Sequence, residues 1–188
     1  VNSGEYKLMG LAPYGKPNYK DIIYKELIDI KNDGSFRLNQ KYFDYMGGVK
    51  MTNKKFSSLF DYPARKPETE KLLQFHMDMA ASIQAVVEEA VIRITRFIYN
   101  EYKIENLCLA GGVALNCVAN GKILKDKYFK NLWIQPASGD AGGSLGASLA
   151  VWYSELGNKR DNKNEDKMKG AFLGPSFDQK FVNQFLIE

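Results

Sequence analysis

The chain has one histidine, His76, two cysteines, Cys108 and Cys117, and no glycine-rich phosphate signature of either standard type, neither G-x-G-x-x-G nor the P-loop lysine motif. Each scarcity removes a class of function. A single histidine cannot form a histidine metal cluster. It also leaves no Ser-His-Asp or Cys-His arrangement, since His76 lies beside Gln74 on a helical pattern and away from its apolar stripe, as a surface or capping residue would. The cysteines lack zinc-finger and thioredoxin spacing. Cys108 falls in an apolar strand and Cys117 on the helix after it, so both read as small core residues of a reduced compartment. No apolar run reaches the roughly 18 to 20 residues of a membrane span, and no basic-then-apolar leader opens the chain. A soluble, cytoplasmic protein with no membrane partner is the expectation.

What is present is ordinary for a globular protein: 188 residues, 45% hydrophobic and 26% charged, enough for one sizeable core and a small appendage. The net charge is +4, but Lys and Arg are dispersed among acids, and Lys122, Lys125, Lys127 and Lys130 form only a short cluster. Nucleic-acid binding calls for a basic stripe interleaved with aromatics, so no nucleic-acid partner is expected. The chain opens on Val1 and runs directly into Asn2-Ser3-Gly4-Glu5-Tyr6-Lys7, like the interior of a longer polypeptide.

Periodicity then divides the chain. Two glycines and a proline within Tyr6 to Gly15 predict a shaped loop, and Ile22 to Leu27 a short helix. The segments Leu27 to Ile30 and Phe36 to Leu38 flank a turn at Asp33-Gly34 and predict a β-hairpin. The aromatic-rich stretch from Tyr42 to Tyr62 lacks a period and reads as irregular structure with short helices. From about Thr69 to Tyr102, Leu72, Phe75, Met79, Ile83, Val86, Ala90, Ile94 and Phe97 recur at three- and four-residue steps, which predicts an amphipathic helix. Its length is on the order of 50 Å. Strand (Asn106 to Ala110), helix (Val113 to Leu124), strand (Leu132 to Gln135) and helix (Ala141 to Tyr153) follow, two βα units of an α/β lobe. The expected organisation is a lobe over 1–154, a polar linker over 155–169, and the start of a further domain over 170–188.

Two strand-to-helix turns carry the candidate chemistry. Gly111-Gly112-Val113-Ala114-Leu115-Asn116 closes the first strand, and Gly139-Asp140-Ala141-Gly142-Gly143 closes the second. Ligands of open α/β sheets sit beyond these strand ends, and glycine lets a nucleotide phosphate or sugar approach the main chain. Asn116, one turn into the helix, suits a contact to ribose or phosphate. Gly111-Gly112 can equally be only a tight connection. Asp140 can bind a metal ion or cap its helix. Lys7 and Tyr14 frame the first loop and can meet a polar or anionic substrate, or lie on the surface.

Four segments in order, Gly4-Glu5-Tyr6-Lys7-Leu8-Met9-Gly10-Leu11-Ala12-Pro13-Tyr14-Gly15, Leu109-Ala110-Gly111-Gly112-Val113-Ala114-Leu115-Asn116, Pro136-Ala137-Ser138-Gly139-Asp140-Ala141-Gly142-Gly143 and Phe172-Leu173-Gly174-Pro175-Ser176, resemble the O-carbamoyltransferases of nodulation-factor and antibiotic tailoring. The resemblance implies an actin-like, ribonuclease H-like ATPase lobe, a mixed sheet with helices on both faces, forming one half of a two-lobed domain. It implies that ATP and carbamoyl phosphate form a carbamoyl-adenylate whose carbamoyl group passes to the hydroxyl of a small-molecule or glycan acceptor. Gly111, Gly112, Val113 and Asn116 would contact the nucleotide. Asp140 would bind a divalent metal, iron or alternatively magnesium. Members of that family carry an earlier lobe with histidine metal ligands and a later domain for carbamoyl phosphate, so this chain alone is expected to be inactive. Two alternatives stand beside this reading: a tRNA threonylcarbamoyl transferase, and a non-catalytic nucleotide-binding module of the same fold.

Overall fold

The computed structural model describes residues 4–160, 168–171 and 174–187. The centre of the expected linker, 161–167, and Phe172-Leu173 of the last motif lie outside the described residues. The chain begins with α1 (Glu5–Leu11), a 3₁₀ turn (Ala12–Tyr14) and α2 (Lys20–Ile22), which runs into a π-helical turn (Ile23–Leu27). A hairpin of β1 (Ile28–Ile30) and β2 (Phe36–Leu38) follows, antiparallel, with Gly34 at φ +85° in its turn as the Asp33-Gly34 pair predicts. The aromatic-rich stretch is irregular around a 3₁₀ turn (Gln40–Tyr42) and α3 (Lys54–Leu59).

The organising element is α4 (Gln74–Tyr102), 29 residues and so about 43 Å long. It starts later than the predicted Thr69. Leu73 is extended, and its N–H donates to Nδ1 of His76 at 2.9 Å, so the histidine caps the helix. At its other end Lys103 takes a left-handed conformation. The helix serves two cores. Toward its start, Val86, with Met79 and Ile83, packs on Ile23, Leu27 and Tyr42. Toward its end, Val91, Ile92, Ile98 and Tyr99 pack on Leu107, Ile123 and Phe129.

The predicted single stripe understates this burial. Asp78, Ser82, Gln84, Glu88 and Thr95 are buried too, while Leu72 and Phe97 of the stripe are exposed. The N-terminal segment explains part of the difference. Asp78 accepts hydrogen bonds from the Lys16 N–H (2.8 Å), the Gln74 amide (2.8 Å) and the Asn18 amide (2.9 Å), and Ser82 Oγ accepts from the Tyr19 N–H (3.0 Å). The Lys16 N–H, then the Gln74 amide, hold the Asp78 carboxyl below the usual carboxylate range. The close approach of Gly15 completes the anchor, because a Cβ there would overlap the Met77 carbonyl.

Beyond α4, β3 (Asn106–Leu109) and β4 (Asn131–Ile134) pair in parallel, joined through a 3₁₀ turn (Gly112–Leu115) and α5 (Cys117–Asp126). A second 3₁₀ turn (Asp140–Gly142) leads into α6 (Gly143–Ala150), a π-helical turn (Val151–Glu155) and, later, α7 (Gln179–Ile187). The α/β class holds, but the described residues form two separate two-stranded sheets rather than one mixed sheet. Helices cover one face of the parallel pair, where Leu107, Leu109 and Leu132 meet α4 and α5. Cys108 stands opposite Trp133 in register on the other face, and both are exposed. Cys117, at the start of α5, is exposed as well, since that helix buries Ala119 and Ile123 instead. Neither cysteine is the core residue expected. No helix among the described residues is long and apolar enough to cross a membrane.

Candidate functional site

Parallel pairing of β3 with β4 brings the two glycine turns together at the carboxyl ends of the strands. The Gly111 N–H donates to the Ser138 carbonyl at 2.8 Å, and a Cβ on Gly139 would stand 3.9 Å from Gly112 Cα. Gly111 has φ +93° and ψ 165°, a conformation that essentially only glycine adopts. Gly142 is needed for a different reason: a Cβ there would overlap the Ala137 carbonyl oxygen. Gly112 and Gly143 meet neither constraint, having no atom within 4 Å of where a Cβ would stand. Val113 is 63% exposed beside them, so the joined turns present bare backbone and apolar surface to the outside.

Asn116 lies at the N-cap of α5, not one turn into the helix, because Gly112–Leu115 forms a 3₁₀ turn before it. Its Oδ1 accepts from the Ala119 N–H (3.1 Å) and from Gln84 Nε2 (3.1 Å), and its Nδ2 donates to Gln84 Oε1 (3.0 Å). Gln84 Nε2 also donates to Glu88 Oε1 at 2.8 Å, and Glu88 Oε2 pairs with the Lys122 ammonium. Neither Gln84 nor Glu88 stands out in the sequence. Their spacing of one helical turn inside an amphipathic pattern resembles any polar pair on a solvated face.

Asp140 is exposed, the first residue of its 3₁₀ turn. It caps nothing. The cap positions belong to Gly139 and Gly142, and no hydrogen bond reaches the Asp140 carboxylate among the described residues. Of its two sequence roles, the helix cap is excluded. Among the described residues no group of three or more His, Cys, Asp and Glu side chains could hold a metal ion, so no ligand set surrounds Asp140 there. Between the turns, Ser138 is 6% exposed and its Oγ has no hydrogen-bond partner among the described residues.

Lys7 and Tyr14 stand elsewhere. Lys7 lines a cavity of about 520 Å³ together with Leu11, Arg65, Phe75, His76 and Met79, whose walls include no residue of either glycine turn. The Tyr14 side chain is 71% exposed, and its carbonyl accepts from Gln74 Nε2 at 3.3 Å.

Residues 1–149 match the family model described as Carbamoyltransferase N-terminus. The chain is 57% identical over 186 residues to the uncharacterized protein sll1178 of Synechocystis sp., covering 99% of this chain and 30% of that protein. It is 33% identical over 184 residues to the nodulation protein NolNO of Sinorhizobium fredii, covering 97% of this chain and 25% of that protein. To the nodulation protein NolO of Bradyrhizobium diazoefficiens it is 33% identical over 171 residues, with 91% and 28% covered. The chain thus spans between a quarter and a third of the length of these relatives. With the matched region running from α1, where the sequence predicts a loop, through both glycine turns into α6, the chain belongs to the carbamoyltransferase N-terminal family.

Proposed function

We propose that the joined glycine turns are the nucleotide-binding part of an ATP-dependent O-carbamoyltransferase. The observation that carries this reading is the hydrogen bond from Gly111 to Ser138, which holds bare backbone at Gly112 and the unpaired Asp140 carboxylate on adjoining turns. In a lobe of the actin-like kind, ATP lies against such a surface. The main chain at Gly111, Gly112 and Val113 and the Asn116 amide contact it, and Asp140 provides one ligand to a divalent metal whose other ligands come from outside the described residues. The metal would supply charge neutralisation for the phosphates and polarise the transferring group. The whole protein hydrolyses carbamoyl phosphate to carbamate and phosphate, joins the carbamate to the α-phosphate of ATP as a carbamoyl-adenylate with loss of pyrophosphate, and delivers the carbamoyl group to an acceptor hydroxyl with loss of AMP.

The test uses the full-length protein. ATP affinity and carbamoyl transfer are measured for wild type, Asn116→Ala and Asp140→Asn. Each substitution is expected to weaken one or both, and unchanged ATP binding and turnover in both variants would remove the assignments. This chain by itself is expected not to consume carbamoyl phosphate with ATP, and turnover by it alone would overturn the division of the site. A second reading, a non-catalytic nucleotide-binding module, draws support from the single carboxylate at the turns. It predicts ATP binding by the full-length protein without carbamoyl transfer.

A further inference from the structure

We propose that Gln84, buried in α4 and outside both glycine turns, is a positioning residue that fixes the orientation of the Asn116 amide, leaving one Asn116 Nδ2–H for an acceptor oxygen of the bound nucleotide. The inference rests on the nucleotide reading above and adds a residue and a polarity to it.

The argument is a count of donors and acceptors. A primary amide has two N–H donors and an oxygen with two lone pairs. Asn116 Oδ1 has both lone pairs engaged, by the Ala119 N–H and by Gln84 Nε2, whereas Nδ2 gives one hydrogen, to Gln84 Oε1. Among the described residues one N–H is left over. Turning the Asn116 amide through 180° would set its NH₂ against the Ala119 N–H and the Gln84 NH₂, two donor-to-donor contacts. Its orientation is therefore set by the Ala119 N–H and by Gln84 together.

Glu88 supplies that constraint. An ionised carboxylate only accepts, so the Gln84 NH₂ must face Glu88 Oε1, at 2.8 Å, and the Gln84 oxygen must face Asn116. Lys122 holds the other carboxylate oxygen. Glu88 is 6% and Gln84 7% exposed, so water competes little for these bonds. Orientation passes from Glu88 to Gln84 to Asn116. The end of the relay is a donor, matched to a ribose or phosphate oxygen and mismatched to a ligand N–H.

The helix cap alone does not require this device. Asn116→Asp keeps an oxygen for the Ala119 N–H and for Gln84 Nε2, so it keeps the cap while removing the free donor. The experiment compares Asn116→Asp, Gln84→Met, the double variant, and Glu88→Gln in the full-length protein, reading the dissociation constant of ATP and the KM for ATP against that for carbamoyl phosphate. Asn116→Asp is expected to weaken ATP binding about tenfold or more. Gln84→Met should weaken it by about the same factor, and the double variant should be no weaker than Asn116→Asp alone. Glu88→Gln keeps the side-chain shape but makes both orientations of Gln84 acceptable. It should cost about twofold if the two are equally populated, and it serves as the readout if Gln84→Met fails to fold. KM for carbamoyl phosphate should stay unchanged throughout.

If Asn116→Asp leaves ATP affinity intact, the nucleotide reading at Asn116 fails, and the proposal with it. If Asn116→Asp weakens binding while Gln84→Met and Glu88→Gln do not, or the double variant shows the product of the single effects, positioning by Gln84 is overturned and the nucleotide reading stands.

Discussion

Replacing Gly112 by alanine separates a glycine kept for the fold from a glycine kept for a ligand. Gly112 is absent from the positive-φ residues and begins a 3₁₀ turn, and a Cβ there would meet nothing within 4 Å. Alanine therefore fits without strain and removes backbone freedom from the unfolded chain, a stabilisation of about 0.4–1 kcal/mol. In a protein as long as the relatives above the corresponding rise in Tm is at most about 1 °C, because the shift falls as the unfolding entropy grows with length. If a nucleotide lies against this backbone, the added methyl occupies its closest approach and costs about 1–3 kcal/mol of binding. That is roughly a 5- to 150-fold rise in the Kd for ATP. Gly111→Ala is the control, because its φ of +93° and ψ of 165° impose about 1–3 kcal/mol of strain whether or not a ligand binds. Thermal unfolding and an ATP titration of the full-length protein give both readouts. A Gly112→Ala protein that is stabilised and binds ATP as tightly as wild type would refute the reasoning and leave Gly111-Gly112 as a tight connection only.

Gly142→Ala forces a methyl into the Ala137 carbonyl, so urea unfolding should show a loss of about 1–3 kcal/mol; a loss below 0.5 kcal/mol would mean the turn relaxes freely. Ser138→Ala removes a buried hydroxyl that has no partner among the described residues and should be neutral or up to about 1 kcal/mol stabilising in the same assay, a clear loss showing that the hydroxyl is bonded after all. The Lys20 ammonium, then the Tyr24 hydroxyl and the Arg93 guanidinium, hold Glu89 down to about 2. The unfolded chain then binds the extra proton between pH ~4.5 and ~2, so this contribution is full above that window and is lost as pH falls through it. Because the Glu89 side chain is 30% exposed, solvent screening limits the contribution to about 1 kcal/mol, and Glu89→Gln should flatten the acid limb of a stability-against-pH curve measured at low salt; an unchanged limb would contradict the pairing.

The elements most legible in the sequence are those whose evidence is local. The Asp33-Gly34 turn announces its hairpin because a positive φ calls for glycine, and the three- and four-residue steps from Phe75 to Ala90 announce α4 because burial on one face enforces the period. The parallel pair β3–β4 follows from alternating short apolar runs and helical stretches. What escapes is decided by partners distant in sequence. Asp78 is buried because the Lys16 N–H reaches it, and Gln84 because Asn116 does, 62 and 32 residues away. Cys108 resembles a core residue by its apolar neighbours, but only pairing with Trp133 on the uncovered face shows which side of the strand is open. The start of α4 moves to Gln74 because the His76 ring accepts the N–H of the N-cap Leu73, a cap that composition does not distinguish from any surface histidine.

The glycines of the two turns can be sorted by what the fold demands of them, and the sorting locates the functional information. Gly111 is required by its dihedral angles, and Gly142 by the carbonyl of Ala137. Folding alone accounts for both, so neither is evidence of a ligand. Gly112 and Gly143 have negative φ, open space where a side chain would stand, and places at the start of a 3₁₀ turn and of α6, where alanine would be the better helix former by about 1 kcal/mol. The fold gives no reason to keep them bare. Gly143 lies three residues beyond the unpaired carboxylate of Asp140, and Gly112 follows the glycine whose N–H ties the turns together. Under the proposed function, a surface that forgoes two side chains beside the Asp140 carboxylate and the Asn116 amide would take a ligand that carries acceptor oxygens and a bound cation. Nucleoside triphosphate with its metal meets both conditions.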